Sequence, residues 1–535
     1  MAELVNGQPV PSVGVTPSAS ELVNGVNTKF SLQENVRNFF ADQVPWRARV
    51  LTLALIVGLL CGVVACLYEM VMDFVLEIVW EDGYEKFVEH IVEAAPFEVP
   101  KWTFILLVCV TFGALTGFFI RILGEPMANL PGVVLAAHRD GSLGYEEAPA
   151  MGVISITSIT AAGSLGPEAP LVSIGGGLAT FVSNWVDLTE AETLFVTMCG
   201  MGAGLAAFFG EPVGGALFAC EVLHRYGLEY YEAVVPTVVA GLSCNWSFRV
   251  LANLPQKPIW TFDFEEPLLP WTSVLGVFYG VIGGLLGWAW MRGTNMFRQH
   301  VMVPLKMAPR HVLKGAIGGL IIGGIGAAFP ETLFWAEYES QTIISHGATP
   351  LPHVNPKVGF LGEYSLSDPT YLILIGLFKL VAISFTVLAG YRGGFIFPFM
   401  FAGNSIGVAL AILSKTYLGI EVSQAAAALS CACAINVAVT RTVLATPIVL
   451  SGLSGRIDCF PTLLAASIVS LFVTGDESII KAARKRWLRA ELDGTELLTD
   501  RTAPLQRNRI ESKTYSRGNT PGNSSHGGNA FGQML

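Results

Sequence analysis

Long stretches without a charged residue alternate along the chain with short polar segments. The charge-free stretches are residues 51–68, 103–120, 148–167, 169–186, 193–210, 233–248, 267–291, 315–330, 393–414, 422–440 and 459–475. Most of them approach or reach the about 17–25 residues that a helix needs to cross a bilayer. Because they are apolar all round rather than on one face, they predict membrane-spanning helices and argue against a soluble enzyme with buried helices.

Prolines mark the places where several of these helices begin. Six lie near the start of, or within, an apolar segment: Pro131, Pro170, Pro212, Pro398, Pro447 and Pro461. Proline is tolerated in the first helical turn, where its missing N–H has no intrahelical partner. We therefore predict helices that begin near Pro131, Pro170 and Pro398, some of them inside the membrane. Lipid cannot satisfy the free N–H groups of such a helix start, so another partner must.

The apolar region divides into two halves of similar length. We predict a first membrane half over residues 46–255, a linker over 256–267 and a second membrane half over 268–480. "GPEAPLVSIG" (166–175) and "GFIFPFMFAG" (394–403) share the spacing Gly, three residues, Pro, four residues, Gly. Many transporters build a site from interrupted helices in such repeats. The expected fold is all-α and polytopic, with two halves and broken, re-entrant helices.

Composition supports a membrane protein and gives no sign of an enzyme. The chain has 535 residues, of which 52% are hydrophobic and 14% charged, against about 25% charged in soluble domains. The nine cysteines follow no metal or disulfide spacing, and the eight histidines fall mostly in loops or at segment ends. No HExxH or GxxxxGK motif is present. We therefore expect no cofactor and no metal, and an intramembrane enzyme or scaffold is disfavoured.

The two ends of the chain differ from the apolar region. Residues 1–45 lack a signal-peptide pattern and are expected to form a disordered cytoplasmic tail. Arg47 and Arg49 precede the first span, and "KAARKRWLRAEL" (481–492) follows the last. The positive-inside rule then places both termini in the cytoplasm, with an even number of crossings. Residues 481–535 are expected to be a basic segment and a disordered tail.

A single carboxylate, Glu168, stands between two long charge-free stretches, directly before the helix predicted at Pro170. A helix start carries about half a positive charge and several free donors, so it can hold an anion without lysine or arginine. The ionised Glu168 side chain could occupy that anion position and block it, and the protonated side chain could leave it. The alternative is that Glu168 only caps its own helix. Ionisable residues at membrane depth are usually functional, which favours the first hypothesis.

Three motifs resemble the CLC family of chloride channels and anion/proton exchangers, and the resemblance covers roughly residues 45–485. "GPEAP" (166–170) is similar to the Gly-Lys/Arg-Glu-Gly-Pro motif, and "GGFIFP" (393–398) to the Gly-x-Phe-x-Pro motif. "FFGEPVGGALFACEVL" (208–223) resembles the Phe-Asn-x-Pro-x-x-Gly-x-Leu-Phe stretch. The resemblance implies two antiparallel halves of inverted repeats and a homodimer in the lipid bilayer. Each subunit would hold its own pore, with Glu168 as the gating glutamate.

The resemblance also implies which residues bind the anion. They are Ala128, Asn129, Leu130, Gly166, Ala169, Pro170, Phe395, Ile396, Phe397 and Ile480. "MANLP" (127–131) aligns with Gly-Ser-Gly-Ile-Pro, so Ala128 replaces the family's serine, and Ile480 aligns with its pore tyrosine. Both usual hydroxyls are therefore missing. The amides of Leu130 to Val133, Ala169 to Val172 and Phe395 to Phe397 are expected to line the site instead.

The proton-relay position separates two mechanisms. Exchangers of the family usually carry an inner glutamate at the second residue of an acidic pair, and this pair reads Glu221-Val222. Valine cannot carry a proton, so the sequence favours a gated chloride channel, with chloride/proton antiport as the alternative. Glu221 is expected to have a structural role. We expect no cytoplasmic regulatory (CBS) domains, and the sequence does not distinguish a plasma membrane from an organellar one.

Overall fold

The computed structural model describes residues 46–124, 142–223, 228–262, 268, 270–362, 364–475 and 477. The described chain is helical, with one isolated β-bridge between Gly166 and Gly394. Ten described helices are long and apolar enough to cross a membrane. The predicted all-α, polytopic membrane fold is confirmed.

The described helices of the first half run from the first span to the segment before the linker. They are α1 (Trp46–Leu76), α2 (Gly83–Phe87), α3 (Thr103–Leu123), α4 (Ala148–Thr160), α5 (Glu168–Val186), α6 (Glu190–Phe209), α7 (Pro212–Leu223) and α8 (Leu228–Leu251). Two π-helical segments, Glu77–Asp82 and Val88–Val92, continue α1 and α2, and a 3-10 turn at Tyr145–Glu147 precedes α4.

The described helices of the second half repeat this order. They are α9 (Ser273–Phe297), α10 (His311–Ala328), α11 (Glu337–Ile344), α12 (Pro369–Ala389), α13 (Ile396–Leu413), α14 (Gln424–Thr440), α15 (Ala445–Ser454) and α16 (Phe460–Thr474). π-helical segments at Arg298–Met302 and Ser414–Leu418 extend α9 and α13. 3-10 turns at Pro270–Thr272, Pro330–Thr332 and Ile457–Cys459 precede α9, α11 and α16.

Packing relates the two halves helix by helix. In the first half α1 packs on α6 and α8, and α5 packs on α4 and α6; in the second half α9 packs on α14 and α16, and α13 packs on α12 and α14. Equivalent helices also meet across the halves, α3 with α10 and α7 with α15. The halves are therefore two copies of one arrangement, as the inverted-repeat fold requires.

Gly175 and Gly403, the last residues of the two aligned segments, have the same structural role. A side chain at Gly175 would collide with the carbonyl of Gly200 on α6. A side chain at Gly403 would collide with the backbone of Ala432 on α14. Each glycine thus lets the helix that begins at the site lie directly against its neighbour, which holds both helix starts at fixed depth.

The proline pattern places the helix starts correctly. Pro212 opens α7, and Pro170, Pro398, Pro447 and Pro461 lie in the first turns of α5, α13, α15 and α16. The helix predicted at Pro131 lies outside the described residues. The half boundaries, the linker and the two cytoplasmic tails stay predictions.

Candidate anion site

The starts of α5 and α13 lie side by side. Gly166 and Gly394, which the sequence alignment pairs, exchange two backbone hydrogen bonds, each with an N–O distance of 2.7 Å. A reciprocal pair of this kind forms where two equivalent segments meet antiparallel. The loops 166–170 and 394–398 are therefore brought to one place, about a local two-fold relation.

Each of these helices offers two backbone amides before its internal ladder begins. In α5 the ladder begins with Leu171 donating to the Pro167 carbonyl (2.9 Å), and in α13 with Phe399 donating to the Phe395 carbonyl (3.1 Å). Before Leu171 stand Glu168, Ala169 and Pro170, and before Phe399 stand Ile396, Phe397 and Pro398. Because proline has no N–H, the free donors are the amides of the two residues that precede it.

This count corrects the expected run of amides from Ala169 to Val172. Pro170 has no N–H to donate, and the Leu171 amide is used inside α5. On the α5 side, Ala169 remains as the donor equivalent to Phe397. Gly166 and Phe395 position the loops, through the glycine bridge and the first carbonyl of the α13 ladder.

Glu168 points its carboxylate at the start of α13 rather than at solvent. The residue is 1% exposed, and its Oε1 accepts a hydrogen bond of 3.2 Å from the Phe397 amide. The amides of Ile396 and of Glu168 itself also contact the carboxylate. Its Oε2 accepts no hydrogen bond from the described residues. The carboxylate therefore occupies the position that a free anion would take at this helix start.

Glycine at 166 and 394 makes room for that carboxylate. A Cβ atom on Gly394 would lie 2.7 Å from both Cβ and Cδ of Glu168. A Cβ atom on Gly166 would lie 3.0 Å from Cδ of Glu168 and 3.1 Å from Cβ of Trp335. The same two glycines thus bridge the helix starts and form the space in which the Glu168 side chain lies.

Aromatic rings enclose the Phe397 side of the site. The Phe397 ring lies 5.0 Å from Phe208, 6.0 Å from Phe209 and 6.0 Å from Trp260, measured between ring centroids. Trp260 belongs to the predicted linker and is fully buried. These rings exclude water, and hydrogen bonds from amides to an anion are stronger in such surroundings.

Asn436 fixes the start of α13 from the neighbouring helix. Its Nδ2 donates to the carbonyls of Ile396 and Ala432, each at 3.2 Å. The asparagine is fully buried on α14. Neither Trp260 nor Asn436 belongs to a motif that the sequence analysis singled out, and the only available signal was a polar side chain in an apolar helix.

The helix starts of the site differ from three other helix starts that the structure describes. Side chains of Thr189, Asp368 and Ser423 accept hydrogen bonds from the first turns of α6, α12 and α14. No residue at the N-cap position serves α5 or α13 in this way. The starts of α5 and α13, like those of α4, α9, α10 and α16, have no side-chain cap, so their first backbone N–H groups are open to another acceptor.

Glu221 lies at a different helix start. Its two carboxylate oxygens accept hydrogen bonds from the amides of Leu444 (2.9 Å) and Ala445 (3.0 Å) at the beginning of α15. This contact holds α7 against α15 across the two halves. Val222 beside it is buried, at 3% exposed. The structural role expected of Glu221 stays a prediction.

The remaining predicted site residues lie outside the described residues. They are Ala128, Asn129, Leu130 and Ile480, together with the amides up to Val133. No group of three or more His, Cys, Asp or Glu side chains that could hold a metal ion occurs in the described ranges.

Two uncapped helix starts thus meet around a buried carboxylate in a helical membrane protein. The family model described as "Voltage gated chloride channel" matches residues 112–475. That match spans more than half of the chain, so the chain belongs to the voltage-gated chloride channel (CLC) family. It is an integral, multi-pass membrane protein of a family that transports chloride.

Relatives include both mechanistic branches. The chain is 25% identical over 448 residues to a chloride/fluoride channel protein of Pseudomonas syringae pv. tomato, covering 83% of this chain and 88% of that protein. It is 27% identical over 275 residues to an H(+)/Cl(-) exchange transporter of Salmonella arizonae, covering 47% of this chain and 50% of that protein.

Solved structures show the same fold. A slow cyanobacterial Cl-/H+ antiporter aligns with a TM-score of 0.64 at 18% identity, over 86% of this chain and 100% of that chain. A CLC-type fluoride/proton antiporter aligns with a TM-score of 0.62 at 20% identity, over 82% and 98%.

Proposed function

We propose that this protein is a gated channel that passes chloride passively, and that Glu168 is its gate. The observation that carries the proposal is the hydrogen bond from the Phe397 amide to Glu168 Oε1 in a site formed by two helix starts. The carboxylate is a tethered anion. While ionised it competes with chloride for the amide donors, and once protonated it holds them less strongly, because hydrogen bonds to charged acceptors are about twice as strong. Conduction therefore rises as pH falls.

Partial charges suit conduction better than a lysine or arginine would. A full cation at the site would bind a halide too tightly for rapid release, whereas helix starts attract the anion and let it leave. The chloride/fluoride channel of Pseudomonas syringae makes fluoride the first competitor to compare with chloride.

The relay position supports a channel over an exchanger. Val222 is buried and has no titratable group, and Glu221 is engaged at the start of α15. Neither residue then offers a proton path from the inner side. Chloride/proton antiport is the alternative, and the exchange transporter of Salmonella arizonae among the relatives is the reason to test it.

The remaining parts of the proposal concern assembly. Exposed apolar residues on α8 and α16, including Leu242, Trp246, Val250, Ile468 and Phe472, suit contacts with lipid or with a second subunit. A homodimer with one pore in each subunit follows from the resemblance described above. The tails at residues 1–45 and 481–535 are proposed to be cytoplasmic.

Flux in liposomes tests the mechanism. Purified protein is reconstituted, and chloride efflux and proton movement are recorded together across a chloride gradient without an applied pH gradient. A channel gives chloride efflux without any coupled movement of protons, at every pH tested. Proton uptake coupled to chloride efflux would establish the antiport alternative. Protein-free liposomes supply the leak control, and fluoride in place of chloride ranks the two halides.

A further inference from the structure

A small cavity of about 20 Å³ lies between the two halves, next to the loops that open α5 and α13. The first half lines it with residues 164–165, which follow α4, and the second half with the end of α12 and the loop before α13. Its polar lining residues are Ser164, Thr386, Tyr391 and Arg392. We call it the Ser164–Arg392 cavity.

The Ser164–Arg392 cavity borders the glycine bridge but is separate from the amide site. Leu165 and Gly393 line it, and they directly precede the bridged residues Gly166 and Gly394. A Cβ atom on Gly393 would lie 3.0 Å from Cγ of Leu165, so the two loops are in contact there. Glu168 is not among the residues that line the cavity. The cavity is therefore a second place beside the same bridge.

Ser164 offers a hydroxyl group to this cavity. The residue is fully buried, and its backbone amide donates to Thr386 Oγ1 at 3.0 Å. The Thr386 hydroxyl donates its own proton to the Ala382 carbonyl at 2.8 Å. Ser164 Oγ has no hydrogen-bond partner among the described residues. Because buried hydroxyls are almost always hydrogen-bonded, this group points to a ligand in the cavity.

Arg392 adds a positive charge to the cavity wall. The residue is 6% exposed. Its backbone amide donates to Ser158 Oγ at 3.1 Å, and the hydroxyl of the preceding Tyr391 donates to the Gly315 carbonyl at 2.9 Å, so the loop is held in place. A guanidinium stays charged and has five N–H donors, so it can bind an ion while it serves other partners.

The size and chemistry of the cavity indicate which ligand fits. A space of about 10–15 Å³ holds one water molecule, so this cavity admits one halide ion and is too small for a phosphate or a carboxylic acid. The lining residues include no carboxylate that could hold a cation. Leu165 and Phe395 supply apolar walls, and hydrogen bonds to an ion are stronger in such surroundings.

We propose that the Ser164–Arg392 cavity binds a single halide ion, held by the Ser164 hydroxyl and the Arg392 guanidinium. A full cation releases a halide less readily than helix starts do, so this ion is retained and does not take part in conduction. It joins the loops of the two halves beside the glycine bridge. Because Glu168 takes no part in this site, the proposal can be tested separately from the proposed function.

Anomalous diffraction from bromide-soaked crystals of the wild type tests the site without any substitution. We expect a bromide peak in the cavity, in contact with Ser164 Oγ and the Arg392 guanidinium. The peak should be present in E168Q as well, because the state of Glu168 does not change the lining of the cavity. A cavity that shows no bromide, or that shows an ordered water molecule in its place, would overturn the proposal.

The dependence of thermal stability on bromide tests the affinity in solution. A ligand that binds the folded state raises its melting temperature, so bromide should stabilise the purified wild type relative to gluconate at equal ionic strength. S164A breaks no hydrogen bond between described residues. We expect it to raise the half-saturating bromide concentration about tenfold or more, because it removes a hydrogen bond to a charged ligand.

S430A is the matched control for S164A. Ser430 on α14 is also fully buried and has an Oγ without a partner among the described residues, but it does not line the cavity. S430A should keep the wild-type response to bromide, and R392Q should lose it. A wild-type response in S164A or R392Q, or an equal loss in S430A, would contradict the proposal. Should R392Q elute as aggregate, the wild-type crystals and S164A decide.

Discussion

Replacing Glu168 with glutamine is expected to abolish the dependence of chloride conduction on pH. In the wild type, the ionised carboxylate accepts a hydrogen bond of 3.2 Å from the Phe397 amide. The blocked fraction therefore falls as Glu168 is protonated, and the open fraction changes about tenfold per pH unit above the midpoint. Glutamine has the same shape without the charge and binds the helix start less strongly. Conduction by E168Q should remain at the acid-activated level, varying less than about twofold across that range.

The matched control for E168Q is E221Q. Glu221 is also a carboxylate bound to backbone amides at a helix start, but it lies at α15. We expect E221Q to keep the wild-type response to pH, provided that it elutes as a single species. Acid activation that persists in E168Q would remove Glu168 from the gating mechanism.

Replacing Gly394 with alanine is expected to hold the gate open. The new Cβ atom would lie 2.7 Å from both Cβ and Cδ of Glu168, which is too close for two carbon atoms. The flexible Glu168 side chain must move, and crowding of this kind costs about 1–3 kcal/mol. That cost lowers occupancy of the blocking position by about fivefold to about a hundredfold. Chloride efflux at a pH where the wild type is closed should rise by a similar factor.

Gly152 provides the control for this alanine substitution. A Cβ atom on Gly152, in α4, would have no neighbour within 4 Å. G152A should therefore conduct as the wild type does. If G394A instead stays closed at the same pH, with the protein correctly folded, then Glu168 does not occupy the space beside Gly394 when the pathway is blocked.

The sequence predicts the helix starts and the meeting of the two halves well, because both depend on local chemistry. Proline is confined to first helical turns, so Pro170 and Pro398 mark where α5 and α13 begin. The Gly-Pro-Gly spacing shared by two segments aligns Gly166 with Gly394, and the structure joins those glycines by two hydrogen bonds. Three matching residues in ten were enough to align the two segments, because each of the three (Gly, Pro and Gly) has a role in the backbone.

Long-range contacts could not be predicted in the same way. Trp260 is in the linker and Trp335 follows a 3-10 turn, and neither position shows which helix start its ring will contact. The helix from Trp46 also continues well beyond the charge-free stretch at 51–68, since Glu69 and Asp73 interrupt the apolar pattern without ending the helix. Lys379 likewise interrupts an apolar helix, and its three carbonyl partners lie more than forty residues away in sequence.

An aligned motif does not show which backbone amides are free to bind an anion. The motif suggested donors from Ala169 to Val172, yet the number of free N–H groups depends on where the helical ladder begins. That point is set by the bond from Leu171 to the Pro167 carbonyl. Only the coordinates show that α5 and α13 each present two donors before their proline.

The central claim is that backbone amides at the starts of α5 and α13 hold the permeating anion and that Glu168 takes the same place when it is ionised. Anomalous diffraction from bromide-soaked crystals of E168Q and of the wild type, both at a pH where the wild type is closed, tests this claim most directly. We predict a bromide peak in contact with the Phe397 amide nitrogen in E168Q and no peak there in the wild type. A bromide bound at that amide beside an undisplaced Glu168 carboxylate, or bound only elsewhere in E168Q, would contradict it.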